Sequence, residues 1–260
     1  SVRQKTMKPY FVAANWKMNG SKKLVLDLIE ALQVVESDLL DIGLFLPSPY
    51  MAEATAMVGQ TMIVGAQHVS QHESGAFTGE VSCAMLQDLG VSAALIGHSE
   101  RRQLFGETDD LCGQRLKRVL KSGIAPVLCV GETLEEREQG IVESVIAAQL
   151  ESIEMGFEYA SPAIGFTIAY EPVWAIGTGK QASPEEADEV HAFIRSRVAE
   201  RWPALTSSLR VLYGGSVKAD NVRPFASQPH VDGVLVGGAS LDVGTFTEIC
   251  REVAVAGQGG

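Results

Sequence analysis

Eight short runs of apolar and β-branched residues recur along the whole chain, and they constrain its fold more than any other feature. They lie at Tyr10–Asn15, Ile42–Leu46, Met62–Ala66, Ala93–Gly97, Pro126–Gly131, Phe166–Tyr170, Arg210–Tyr213 and Gly233–Gly237. Each is apolar on both faces, as a parallel strand is when helices cover it. Segments of helical period separate them. Leu24, Leu28 and Leu32 mark one stripe; Val190, Phe193, Ile194 and Val198 mark another. Helix starts are signalled by Thr108-Asp109-Asp110, by Thr133 with Glu136, and by Ser183-Pro184 with Glu186. These read as N-caps, two of them capping boxes. Eight such alternations in 260 residues point to an α/β fold of one domain, a closed (β/α)₈ barrel. An open doubly wound sheet would carry about five to seven strands. The barrel is expected over residues 9–256, after an extension or processing remnant at 1–8 and before a flexible tail at 257–260.

The formal charge of −11 argues against a nucleic-acid or anionic-membrane surface, which wants a basic face. It leaves room for a small anionic substrate held by backbone N–H groups. Cys83, Cys112, Cys129 and Cys250 are scattered without metal-ligand spacing, so free thiols in a reducing cytoplasm are expected. No run reaches the ~20 apolar residues of a membrane span, and no signal-peptide pattern follows the basic first residues.

In a barrel, chemistry collects just beyond the C-terminal ends of the strands. Those places hold Asn15 and Lys17 after the first run, His98, Ser99 and Glu100 after the fourth, and Glu171 after the sixth. Gly214-Gly215-Ser216 and Gly237-Gly238 follow the seventh and eighth. A carboxylate, an imidazole and an ammonium at one mouth supply a base, an electrophile and charge stabilisation. Gly-rich turns after the last two strands suit a phosphate. Together they fit proton abstraction beside a carbonyl of a phosphorylated small molecule.

At these residues the chain resembles the triosephosphate isomerase family, from about Pro9 to Val253. The resemblance rests on Ala14-Asn15-Trp16-Lys17-Met18-Asn19-Gly20, Gly97-His98-Ser99-Glu100-Arg101-Arg102, Tyr170 through Lys180, Tyr213-Gly214-Gly215-Ser216-Val217, and Gly233 through Leu241. It implies a TIM barrel and the interconversion of dihydroxyacetone phosphate and glyceraldehyde 3-phosphate in glycolysis and gluconeogenesis, without metal or organic cofactor. This family is itself the standard illustration of acid–base tuning and lid closure. By resemblance, Glu171 shuttles the proton between C1 and C2, neutral His98 is the electrophile, and Lys17 and Asn15 stabilise charge. Ser99 meets Glu171 in the open site, and Glu100 lies near Lys17. Gly177, Ser216, Gly237 and Gly238 would grip the phosphate through backbone N–H groups. Pro172, Val173, Trp174, Ala175, Ile176, Gly177, Thr178, Gly179 and Lys180 would form a lid. Ile176 and Leu235 would dry Glu171, and desolvation raises the proton affinity of a carboxylate. The long segment 67–80 would dock into a second copy in a homodimer, with Thr78, Gly79 and Glu80 as its tip.

Plainer readings stand beside these. His68, His72, His191 and His230 read as structural, Cys129 as packing, and the stretch His68 to His72 matches no functional element. The G-x-G-x-x-A run from Gly177 to Ala182 starts too far beyond its strand for a dinucleotide fingerprint. Gly97-His98-Ser99-Glu100-Arg101 lacks the last glycine of a nucleophile elbow. Two other functions remain open: an aldolase working through a lysine Schiff base, and a non-catalytic binding protein on the same fold.

Overall fold

The computed structural model describes residues 8–35, 37–59, 62–176 and 180–258. The strands are β1 (Tyr10–Asn15), β2 (Leu40–Leu46), β3 (Met62–Ala66), β4 (Ala93–Ile96), β5 (Ala125–Val130), β6 (Phe166–Tyr170), β7 (Leu209–Tyr213) and β8 (Gly233–Val236). All pair in parallel in sequence order, and β8 returns to β1. The chain is therefore a closed eight-stranded barrel, and each expected strand is present to within two residues. The helices are α1 (Lys22–Leu32), α2 (Met51–Val58), α3 (Cys83–Asp88), α4 (Ser99–Phe105) and α5 (Asp109–Ser122). They continue with α6 (Leu134–Glu138), α7 (Val142–Leu150), α8 (Pro184–Arg201), α9 (Val222–Ala226) and α10 (Val243–Gln258). Because α10 runs to Gln258, the boundary expected at 257 falls inside that helix.

The local signals act as their chemistry dictates. Thr108, Thr133 and Ser183 each accept a backbone N–H at a helix start, and the last two complete capping boxes with Glu136 and Glu186. Each such cap contributes about 1 kcal/mol. Along α1, the buried face is Val25, Leu28, Ile29 and Leu32. Burying each of those side chains contributes about 1.5–3 kcal/mol.

Alternation along the strands separates two cores. Outward residues such as Val12, Leu44 and Ile168 pack under the helices, while Phe11, Ala13, Phe45, Leu95, Cys129, Leu212 and Leu235 fill the barrel. Leu235 is the inner residue that also reaches the mouth cavity. The barrel's interior is thus plugged, and its chemistry is confined to the rim.

His191 on α8 is fully buried, with Nδ1 facing the His230 carbonyl at 3.4 Å and its ring edge-on to Tyr170. Burial pushes its pKa from 6.5 down to about 3. The folded state holds a neutral imidazole, whereas the unfolded chain binds a proton below 6.5. This contribution is therefore full above 6.5 and lost as the pH falls toward 3, by up to about 1.4 kcal/mol per unit. Urea midpoints of His191→Leu measured between these limits should fall less steeply than those of the parent.

Candidate active site

The sequence-predicted rim residues converge. Asn15 ends β1, and its Oδ1 accepts the Lys17 N–H at 3.0 Å. Lys17 has φ +54°, the one non-glycine residue with positive φ among the described residues. Such a conformation costs on the order of 1–3 kcal/mol and persists where neighbours over-determine it. Here Asn15 holds its N–H, and the Gln67 amide donates to its carbonyl at 2.9 Å. The turn brings Nζ to 2.8 Å from Glu100 Oε1.

After β4, Gly97 takes φ +68°, a left-handed turn that glycine adopts without strain. His98 follows as the N-cap of α4, its Nδ1 accepting the Glu100 N–H at 3.2 Å. With Nδ1 as acceptor, the ring proton of neutral His98 sits on Nε2. That atom lies 2.9 Å from Glu171 Oε2. Ser99 Oγ donates more weakly to the same oxygen, at 3.4 Å. Arg102 braces this corner by donating to the carbonyls of Gly97 and Cys129 and pairing with Asp109.

Glu171 leaves β6 with its N–H on the Val130 carbonyl at 2.8 Å and is 2% exposed. Gly214 supplies its room: a Cβ there would lie 2.8 Å from Glu171 Cγ. Burial works to raise the Glu171 pKa, but the His98 ring beside it, with smaller help from Cys129 and Lys17, holds it lowered. Burial works to lower that of His98, and the Glu171 carboxylate outweighs it and raises it. Each side chain thus favours the charged form of the other, while the Glu100 N–H on Nδ1 favours the neutral ring that donates from Nε2.

The carboxylate and imidazole open into a cavity of about 220 Å³. That is below the range of about 300–1,000 Å³ of drug-sized ligands and suits a small metabolite. Asn15 and Lys17 flank one side, Ile176 and Leu235 another, and Ser216, Gly237 and Gly238 form the far wall. Gly238 opens a 3₁₀ turn (Gly238–Leu241), whose first N–H groups are the end of a helical turn that favours an anion. The Ser216 hydroxyl donates to the Ala175 carbonyl at 2.8 Å, tying this wall to the start of the expected lid. Within that segment Val173–Ala175 form a 3₁₀ turn. Gly177, Thr178 and Gly179 lie outside the described residues.

Sequence reasoning missed Glu132. Wholly buried just after β5, it accepts from Tyr170 Oη at 2.9 Å, Trp174 Nε1 at 3.0 Å and Arg137 Nη1 at 3.1 Å. Its carbonyl takes the Val173 N–H. Arg137 also stacks on Trp174 and pairs with Glu186 of α8. The root of the lid is therefore anchored to β5 and α8. A carboxylate just beyond a strand end was the available signal. The stretch His68 to His72, left without a match, braces the long loop from within. His68 Nε2 meets Glu80 at 3.0 Å, and His72 stacks on Phe77 at 3.7 Å. Thr78, Gly79 and Glu80 are exposed at the loop's end.

Fold and site place a buried carboxylate–imidazole pair opposite a glycine-lined wall at the mouth of a closed barrel. Residues 10–253 match the family described as triosephosphate isomerase. A triosephosphate isomerase of Thiobacillus denitrificans is 47% identical over 253 residues, covering 95% of this chain and 100% of that protein. Those of Azoarcus sp. strain BH72 and Alcanivorax borkumensis are 47% and 46% identical, covering 92% of this chain and 97% and 96% of theirs. The chain belongs to the triosephosphate isomerase family.

Proposed function

We propose that the Glu171–His98 pair carries the isomerisation that family membership gives this chain: dihydroxyacetone phosphate to D-glyceraldehyde 3-phosphate and back. The observation that carries this reading is the buried 2.9 Å contact between those two side chains at the mouth of the small cavity. A carbonyl oxygen entering there takes the Nε2–H bond in place of the carboxylate. His98 then loses the charge that raised its pKa, while burial and the Nδ1 bond keep the ring neutral. Glu171 loses its largest lowering influence and is left with burial, which raises its affinity for a proton.

The released carboxylate takes the proton from C1 as the C1–H electrons form the enediolate. His98 Nε2–H donates to the developing oxyanion at O2 and delivers its proton there, then takes the O1 hydroxyl proton back on Nε2 as C1–O1 becomes the carbonyl. Lys17 Nζ stabilises the negative charge, and Asn15 fixes the turn that presents it. Glu171 returns the proton to C2. The phosphate is held at the wall of Ser216, Gly237 and Gly238, joined by Gly177. Residues 172–180 close over it, with Ile176 and Leu235 excluding water, and enclosure keeps the enediolate from expelling phosphate. An assay coupled to an NAD-linked dehydrogenase should show turnover from either triose phosphate; phosphoglycolate binding without turnover would support the non-catalytic reading. The aldolase reading needs a lysine inside a strand, and Lys17 lies beyond β1, engaged with Glu100. Borohydride trapping of substrate on Lys17 would reverse that judgement.

The protein works as a homodimer in a reducing cytoplasm, within glycolysis and gluconeogenesis. Supporting the dimer, Met18, Phe77, Leu104 and Phe105 expose apolar side chains on segments following β1, β3 and β4. Supporting the compartment, all four cysteines are free and buried. No described helix is long and apolar enough to cross a membrane. Sedimentation velocity should give a dimer. Thr78→Arg, placed at the loop tip, should give monomers with kcat/KM reduced about tenfold or more through a misplaced Lys17 turn.

A further inference from the structure

A second cavity, of about 120 Å³, lies behind the catalytic carboxylate, and Glu171 lines both. Oε2 is engaged by His98 from the front cavity and, more weakly, by Ser99, which lines only the rear one. Oε1 is buried without a hydrogen-bond partner in the protein. A carboxylate oxygen so placed is costly unless water supplies a donor. The carboxylate borders the rear cavity: Ser99 and Cys129 line that cavity and not the front one, and both lie against it. From that floor the cavity passes Ser99 and Gly131 to a mouth at Gln103 and Thr133, both exposed. Its lining carries the polar side chains of Ser99, Gln103, Thr133 and Gln149, the charged Arg102 and Glu136, and two valines, and one water needs only about 10–15 Å³.

We propose that the rear cavity is a water-filled proton port, through which Glu171 exchanges the hydron taken from substrate with bulk solvent while substrate fills the front. The inference rests on Glu171 being the base. After abstraction, the carboxyl group passes its proton to a cavity water, and a solvent hydron returns to the same carboxylate. Nothing is oxidised or reduced, and the enediolate receives at C2 whichever hydron Glu171 then holds. The front offers no such route, because substrate lies between the carboxylate and the opening.

The test is turnover of dihydroxyacetone phosphate in D₂O, with the aldehyde oxidised at once by an NAD-linked dehydrogenase so that it cannot return. The deuterium fraction at C2 then measures exchange against delivery. Gln103→Trp fills the mouth from an exposed position on α4, and Thr133→Val removes its hydroxyl, and with it the N-cap of α6, with little change in volume. Neither residue touches the substrate cavity. The deuterium fraction should fall about threefold or more in Gln103→Trp, and less in Thr133→Val, with kcat largely kept. Slower delivery would raise the fraction, so a fall reports slower exchange whatever happens to kcat. An unchanged fraction in both variants, or a parent enzyme that turns over without solvent label, overturns the port alone. A parent without any triose phosphate turnover overturns the isomerase reading and the port with it.

Discussion

Glu171→Gln should lower kcat about a thousandfold or more while KM moves only a few-fold, in keeping with removal of a general base that acts in the transition state. The substitution is nearly isosteric, which matters at a side chain only 2% exposed and pressed against Gly214. The amide oxygen can still accept from His98 Nε2 and Ser99, so the cavity keeps its shape. What disappears is the negative charge that makes the oxygen basic enough to take the proton. Glu171→Asp separates chemistry from reach. It keeps the charge but withdraws it by about 1 Å, a displacement able to cost on the order of a hundredfold. Both variants should unfold near the parent temperature by calorimetry, and steady-state rates in both directions supply the comparison. Near-full activity in Glu171→Gln would assign the base elsewhere.

Much of this was legible from sequence because barrels tie function to one kind of position. Once eight strands were placed, Asn15, His98, Glu171, Gly214 and Gly237 stood at strand ends, and the fold could only gather them on one rim. Capping boxes at Thr133 and Ser183 were equally readable, since their chemistry is local. Contacts between distant segments were not. Nothing near Glu132 announces that Tyr170, Trp174 and Arg137 will all reach its carboxylate. The bond from Gln67 to the strained Lys17 joins residues 50 apart. Protonation was the hardest to read. The ionisation of Glu171 depends on whether His98 or a substrate oxygen lies against it, and sequence names both groups without giving their separation.

His98→Gln tests that dependence directly and should lower kcat by about 10²–10³, the range for losing one preorganised donor at a developing oxyanion. An amide can still donate to oxygen, but its geometry differs and Nδ1 no longer takes the Glu100 N–H that fixes the ring. The second effect is on the base. Removing the imidazole removes the leading cause that holds Glu171 low and leaves burial, which acts upward. The Glu171 carboxyl in the free variant should therefore titrate at higher pH than in the parent, as read by ¹³C NMR of the labelled side chain. In the parent the shift in the same direction should come from binding phosphoglycolate, because a ligand in the cavity parts the pair. If the two side chains act as one unit, combining His98→Gln with Glu171→Gln should cost little more than the worse single change. Fully additive losses, with an unmoved Glu171 titration, would mean that the 2.9 Å contact is incidental and that base strength is set by the lid alone.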